Sequence, residues 1–125
     1  MIDRLYGLFG FPDYRLLFGN AARWMLGEES LIRVKAPVTV DVMMQRQAST
    51  GRIMVHLINL TGKRPHSEFI PIRGIEVEVR CPSQHPPRRV LLASTGEPIS
   101  FELKNGTVTA AIDELEVYDI MVIEP

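Results

Sequence analysis

The chain is short of most of the residues that do chemistry. A single cysteine, Cys81, stands alone among 125 residues, so no internal disulfide can form and the chain is not a disulfide-stapled scaffold. Neither sign of charge dominates. Fourteen basic and 15 acidic side chains leave a net of -1, which gives no electrostatic case for nucleic acid or an anionic membrane surface. No apolar run approaches the ~20 residues that span a bilayer. The N-terminus carries Asp3 early and glycine-rich aromatic sequence after it, unlike a signal peptide, so the expectation is a cytoplasmic protein. There is no internal repeat and no low-complexity segment.

What the chain does have is ordinary soluble composition, 46% apolar and 23% charged, in one domain's length. Its aromatics are unevenly spread. Tyr6, Phe9, Phe11, Tyr14, Phe18 and Trp24 crowd the start, leaving only Phe69, Phe101 and Tyr118 beyond. Residues 1 to 11 are too apolar for a solvated tail and too glycine-rich for a good helix, so they are expected to lie against another surface. Pro12 and Asp13 then suit a helix entry, and Gly27 suits its end. Between them Tyr14, Leu17, Phe18, Ala21 and Met25 recur at helical steps, with Ala22 and Leu26 widening the stripe. Gly19 and Asn20 weaken that helix, which therefore depends on packing.

From residue 31 the period changes from 3.6 to 2. Ile32, Val34 and Ala36 alternate with Arg33 and Lys35, and Pro37 interrupts. Residues 38–47 and 52–60 read as an antiparallel hairpin across Ser49-Thr50-Gly51. Arg52 to Thr61 is apolar on both alternating sides apart from His56 and Asn59, which predicts a central strand covered on both faces. Further strands follow at Ile75–Val79, Val90–Leu92, Ile99–Leu103 and Val108–Ile112, and Asn105-Gly106 carries the strongest hairpin signal. Leu115 to Glu124 reads as one last element whose phase slips near Asp119, through a bulge or burial on both faces. The fold class expected is mainly β: an antiparallel β-sandwich of about eight strands, residues 31–125, preceded by an N-terminal apolar segment and one α-helix, residues 1–30.

Candidate chemistry is sparse. His56 could be a general base or metal ligand, but a buried imidazole hydrogen-bonded to backbone or to a neighbouring strand fits its setting better. His66 and His85 fall in proline-bearing loops, and no two histidines share a ligand spacing, so neither metal nor cofactor is expected. Cys81 has no partner and no nearby base beyond Arg80. The pairs Glu28/Glu29, Glu76/Glu78, Glu97/Glu102 and Asp113/Glu114/Glu116 give no facing carboxyls of the kind glycoside hydrolysis needs. Asn59-Leu60-Thr61 matches a glycosylation acceptor, but Asn59 is better placed to bond backbone as the strand turns. His56 and Asn59 remain the polar-site candidates, and no catalytic residue is assigned.

The helix with Asn20-Ala21-Ala22-Arg23-Trp24, the paired strands after Pro37, the run Gly51-Arg52-Ile53-Met54-Val55-His56-Leu57-Ile58-Asn59-Leu60-Thr61 and the closing Leu115-Glu116-Val117-Tyr118 together carry a resemblance. Over roughly residues 13 to 124 they resemble the C-terminal region of bacterial β-galactosidase-like glycoside hydrolases. There a catalytic barrel is followed by a trimerisation-like domain, and a small all-β domain ends the chain. The resemblance implies that residues 1–30 are the last helix of the preceding domain or a packing arm. It implies an accessory sandwich with no catalytic residue of its own, since the family's carboxylates lie in the barrel. Its partner would be a catalytic or middle domain, or a second copy, contacted through Tyr6, Phe9, Phe11, Phe18 and Trp24. A carbohydrate-binding module is the alternative, although the exposed aromatic row that such modules present is missing, and an independent enzyme is a third reading for which the sequence assembles no active site.

Overall fold

The period-2 patterning becomes eight strands in two antiparallel four-stranded sheets, here seen in a computed structural model. The structure describes residues 16–17, 19–21, 24–25, 30–62, 68–82 and 86–125. The chain divides into two units, Met1–Ser30 and Leu31–Pro125. In the first, residues 16–17, 19–21 and 24–25 are helical, inside the stretch bracketed by Pro12 and Gly27. Leu17, Ala21 and Met25, expected on a packed stripe, are exposed. Periodicity reveals that a helix has an apolar face, but not what covers it.

The second unit holds β1 (Ile32–Lys35), β2 (Val40–Arg46), β3 (Ile53–Asn59), β4 (Ile72–Arg80), β5 (Arg89–Leu92), β6 (Phe101–Lys104), β7 (Thr107–Leu115) and β8 (Tyr118–Glu124). One sheet runs β1-β4-β7-β6 and the other β2-β3-β8-β5. Alternate residues from both sheets turn inward, and Val55, Leu57, Ile75, Val77, Val79, Val108, Ile112 and Met121 are fully buried in one core. Each such side chain contributes about 1.5–3 kcal/mol by leaving water, so this layer is the main source of stability.

Turn chemistry fixes the registers. Asn105 (φ 50°) and Gly106 (φ 77°) both take positive φ, as a two-residue β6–β7 hairpin requires. Pro37 marks the point where the chain leaves one sheet as β1 and enters the other as β2, and its carbonyl accepts the Val40 N–H at 3.0 Å. After β5 the chain reverses at Gly96 and runs back beside it. Ile99 N–H donates to Val90 O at 2.8 Å, and Pro98 bridges Leu91. A proline cannot donate outward, so it ends the ladder at that border.

Three expectations need correction. Leu115 to Glu124 is not one strand: Leu115 ends β7, Glu116 and Val117 form a tight turn, and β8 begins at Tyr118. The phase is kept through Asp119, which faces inward with Met121 and Ile123. The slip lies elsewhere, where the β4–β7 ladder skips Gly74 and Asp113 and the buried positions on both strands shift by one. Gly74 permits this with φ 69°. Second, β4 begins at Ile72, three residues before its clean alternation. Third, β3 is not buried on both faces. Ile53, Val55, Leu57 and Asn59 are buried, whereas Met54, His56 and Ile58 are only half-buried.

Outside the core, the sheets differ. The outer face of β1-β4-β7-β6 carries the pairs Arg33–Glu78 (3.5 Å), Arg73–Glu114 (2.6 Å) and Lys104–Glu102 (2.7 Å). Such exposed pairs add little stability, but they keep that face solvated. The outer face of β2-β3-β8-β5 carries the pair Arg52–Glu124 (2.7 Å) at one end and is apolar in its middle, with Met43, Met54, Ile58, Ile120 and Val122 around His56.

Candidate functional site

His56 sits mid-way along β3, paired with Met43 on β2 and Ile120 on β8. Because side chains two residues apart share a face, Tyr118 reaches it diagonally from β8. A hydrogen bond of 2.7 Å joins His56 Nδ1 to the Tyr118 hydroxyl, with the rings stacked at 6.1 Å between centroids. His56 Nε2 is buried and has no hydrogen-bond partner among the described residues. Among the described residues this imidazole, held by a phenol beside methionine and isoleucine side chains, bonds to no carboxylate that would orient it and to no nucleophile that it would activate. Tyr118 was legible in the sequence only as an apolar strand residue. Its role depends on the β3–β8 register.

Asn59 serves as a knot. Its amide Nδ2 donates to Glu116 O at 2.6 Å and Ile70 O at 2.8 Å, with a longer contact to Leu115 O at 3.4 Å. Its Oδ1 accepts from Thr61 N (3.0 Å) and Thr61 Oγ1 (2.7 Å). One buried amide thereby ties the end of β3, Thr61, Ile70 and the β7–β8 turn together, across the two sheets. The side chain is fully committed and buried, which rules it out as a glycosylation acceptor in the folded chain.

The carboxylates of Asp119 and Glu114 are occupied likewise. A cleft of about 260 Å³ lies beside the β5 and β7–β8 turns, lined by Ser94, Thr95, Glu114, Glu116, Tyr118 and Asp119 among others. Asp119 Oδ1 accepts from Ser94 N at 3.1 Å and from Ile120 N at 2.7 Å, while its Oδ2 accepts from Ser94 Oγ at 2.5 Å. Glu114 accepts from Arg73. These bonds close turns and leave no free pair facing across the cleft. Among the described residues no three His, Cys, Asp or Glu side chains converge on a metal site. Burial pushes the Cys81 thiol above its usual range, with a backbone hydrogen bond from Val108 opposing it, and its Sγ lies 3.8 Å from Val79 O. A thiol kept protonated is a poor nucleophile.

Of the expected contact residues, Tyr6, Phe9, Phe11 and Phe18 lie outside the described residues, as do His66 and His85. Trp24 is described and is largely exposed. No described helix is long and apolar enough to cross a membrane.

Taken together these features define a class: an eight-stranded antiparallel sandwich whose polar side chains brace strands and turns. Two solved proteins with structures like it are glycoside hydrolase-related. One is the α-L-fucosidase isoenzyme 2 from Paenibacillus thiaminolyticus, with a TM-score of 0.79 and 25% identity over 98% of this chain and 19% of that one. Another is a cycloisomaltooligosaccharide glucanotransferase from Paenibacillus sp., solved with cycloisomaltoheptaose, with a TM-score of 0.59. Its 16% identity over 76% of this chain and 17% of that one shows a shared fold alone. This chain spans about a fifth of the length of each of these proteins. No family model and no curated protein matches the sequence.

Proposed function

We propose that this chain is a non-catalytic accessory β-sandwich of a glycoside hydrolase-like protein, with a stabilising or domain-assembly role. One observation carries the proposal. Nearly the whole chain, 98% of it, is similar to a fifth of an α-L-fucosidase, so the likeness is to a part of a larger enzyme. The braced state of His56, Asn59, Asp119 and Glu114 supports a structural role over a chemical one. On this reading residues 1–30 end a preceding domain, and the partner is a catalytic or middle domain contacted through the N-terminal aromatics. The parent is of the β-galactosidase-like type that the sequence resembles, acting in carbohydrate metabolism in the cytoplasm, where a free Cys81 is at home.

The test is direct. The purified chain is incubated with a panel of aryl glycosides, α-L-fucoside and β-galactoside included, and no turnover above buffer is expected. Turnover abolished by His56→Ala or Glu116→Gln would overturn the proposal. Affinity electrophoresis through polysaccharide gels runs alongside. Retardation lost on Tyr118→Ala would replace the accessory reading with a carbohydrate-binding module.

A further inference from the structure

The described part of the N-terminal helix presents an apolar face to solvent. Leu16 is 57% exposed, Leu17 56%, Trp24 83% and Met25 73%. At 3.6 residues per turn, Leu17 and Trp24, seven apart, point within about 20° of one another. Leu16 and Met25 flank them, and the exposed Asn20 and Ala21 fall between on the same face. The pattern is two large apolar residues, the polar Asn20 with the small Ala21, and two large apolar residues, at four-residue steps. A helix laid into a hydrophobic groove uses such spacing, with anchors on consecutive turns and small residues where the backbones come closest. Exposed tryptophan beside leucine and methionine is costly on a free surface and typical of a binding hot spot.

The match to the α-L-fucosidase says what such a groove would belong to. It takes in 98% of this chain, leaving out only a few residues, so the helix is included with the sandwich. It uses only 19% of the fucosidase, whose remaining four-fifths is further polypeptide joined to the matched part. A second copy of this chain is a poorer occupant. Two convex stripes of this length laid together would bury roughly 1,000 Å² in total, the lower end for a specific interface, whereas a groove encloses each anchor on three sides.

We infer that the face formed by Leu16, Leu17, Asn20, Ala21, Trp24 and Met25 docks into an apolar groove on the rest of a fucosidase-like enzyme, the part that lies outside this match. The inference rests on the accessory reading and adds the surface that carries it. Trp24 is the only tryptophan, so the full chain labelled with 5-fluorotryptophan gives a single fluorine signal from the centre of the face. The probe is the P. thiaminolyticus enzyme produced without its matching fifth, with folding verified by circular dichroism.

Alone, the labelled chain is expected to be monomeric by light scattering, with a sharp, solvent-exposed fluorine resonance. Added probe is expected to shift and broaden that resonance and to comigrate with the chain in size exclusion. Leu17→Ser/Met25→Ser, two exposed changes that spare the sandwich, should weaken comigration at least tenfold. Comigration with an unmoved fluorine signal would refute the face while sparing the accessory reading. No comigration at all would sink both. A concentration-dependent dimer of the chain alone, broken by the same double variant, would assign the face to self-association and overturn the inference.

Discussion

Replacing Asn59 by alanine tests the idea that one amide holds the two sheets and a loop in register. Asn59 is 1% exposed, and its side chain makes two short donated bonds and two accepted ones. Alanine removes all four and leaves Glu116 O and Thr61 N without these partners. A typical hydrogen bond contributes about 1 kcal/mol net, and a buried polar group left unpaired costs about 1–3 kcal/mol. Some of those groups reach water once the loop relaxes, so the expected loss is about 3–4 kcal/mol. Against a typical stability of roughly 5–15 kcal/mol that is a large fraction. At about 4–8 °C per kcal/mol it lowers Tm by roughly 12–32 °C. Urea unfolding followed by circular dichroism measures it, with an unchanged m-value showing that the native state is still compact. Thr61→Val, which removes another member of the same network, should be strongly non-additive with Asn59→Ala. Asn59→Asp keeps the acceptor but sets a carboxylate against two carbonyls. Its deficit should shrink as pH falls through the carboxylate range, because the protonated acid can donate again. A loss below about 1 kcal/mol in Asn59→Ala, or full additivity with Thr61→Val, would refute the knot.

Other expectations follow from the same bonds. Asp119→Ala frees Ser94 N, Ser94 Oγ and Ile120 N and should cost about 2 kcal/mol in a urea titration, with faster amide exchange confined to the Ser94 turn and the start of β8. Tyr118→Phe leaves the imidazole of His56 without its one described partner and should lower stability by about 1 kcal/mol, read as a small fall in Tm. Because the buried Cys81 thiol is held protonated above its ordinary range, its contribution is intact below about pH 8.5. It is lost as pH rises further, since the unfolded chain ionises there first. Ellman's reagent at pH 8 should therefore react slowly with the native chain and rapidly in denaturant, and equal rates would contradict the burial of Cys81.

Local patterning made much of the fold legible. Clean alternation in β1, β2 and β4 placed those strands, since a half-buried strand leaves a period-2 trace. Asn105-Gly106 and Ser49-Thr50-Gly51 placed two hairpins, because positive φ is needed there and few residues supply it. The reading failed at Leu115–Glu124, where Glu116 and Val117 turn the chain with neither glycine nor proline. It failed again at Gly74, where the phase slips on two strands at once and each sequence alone shows half of the event. The candidate site was less legible. His56 and Asn59 stood out as polar residues in an apolar strand, but their partners are Tyr118, Thr61 and the carbonyls of Ile70 and Glu116. Residues 57 and 62 positions away enter through strand pairing, which a single sequence does not encode locally.

By itself, then, the sequence determined the β class, the positions of most strands and turns, and the shortage of reactive groups. These depend on side-chain period and backbone φ, both local properties. Tertiary structure decided which face of β3 is dry, that Asp119 and Asn59 are braces, and that Leu16, Leu17, Trp24 and Met25 are exposed. Burial and hydrogen bonding belong to pairs of segments far apart in the chain, so only their assembly could assign them.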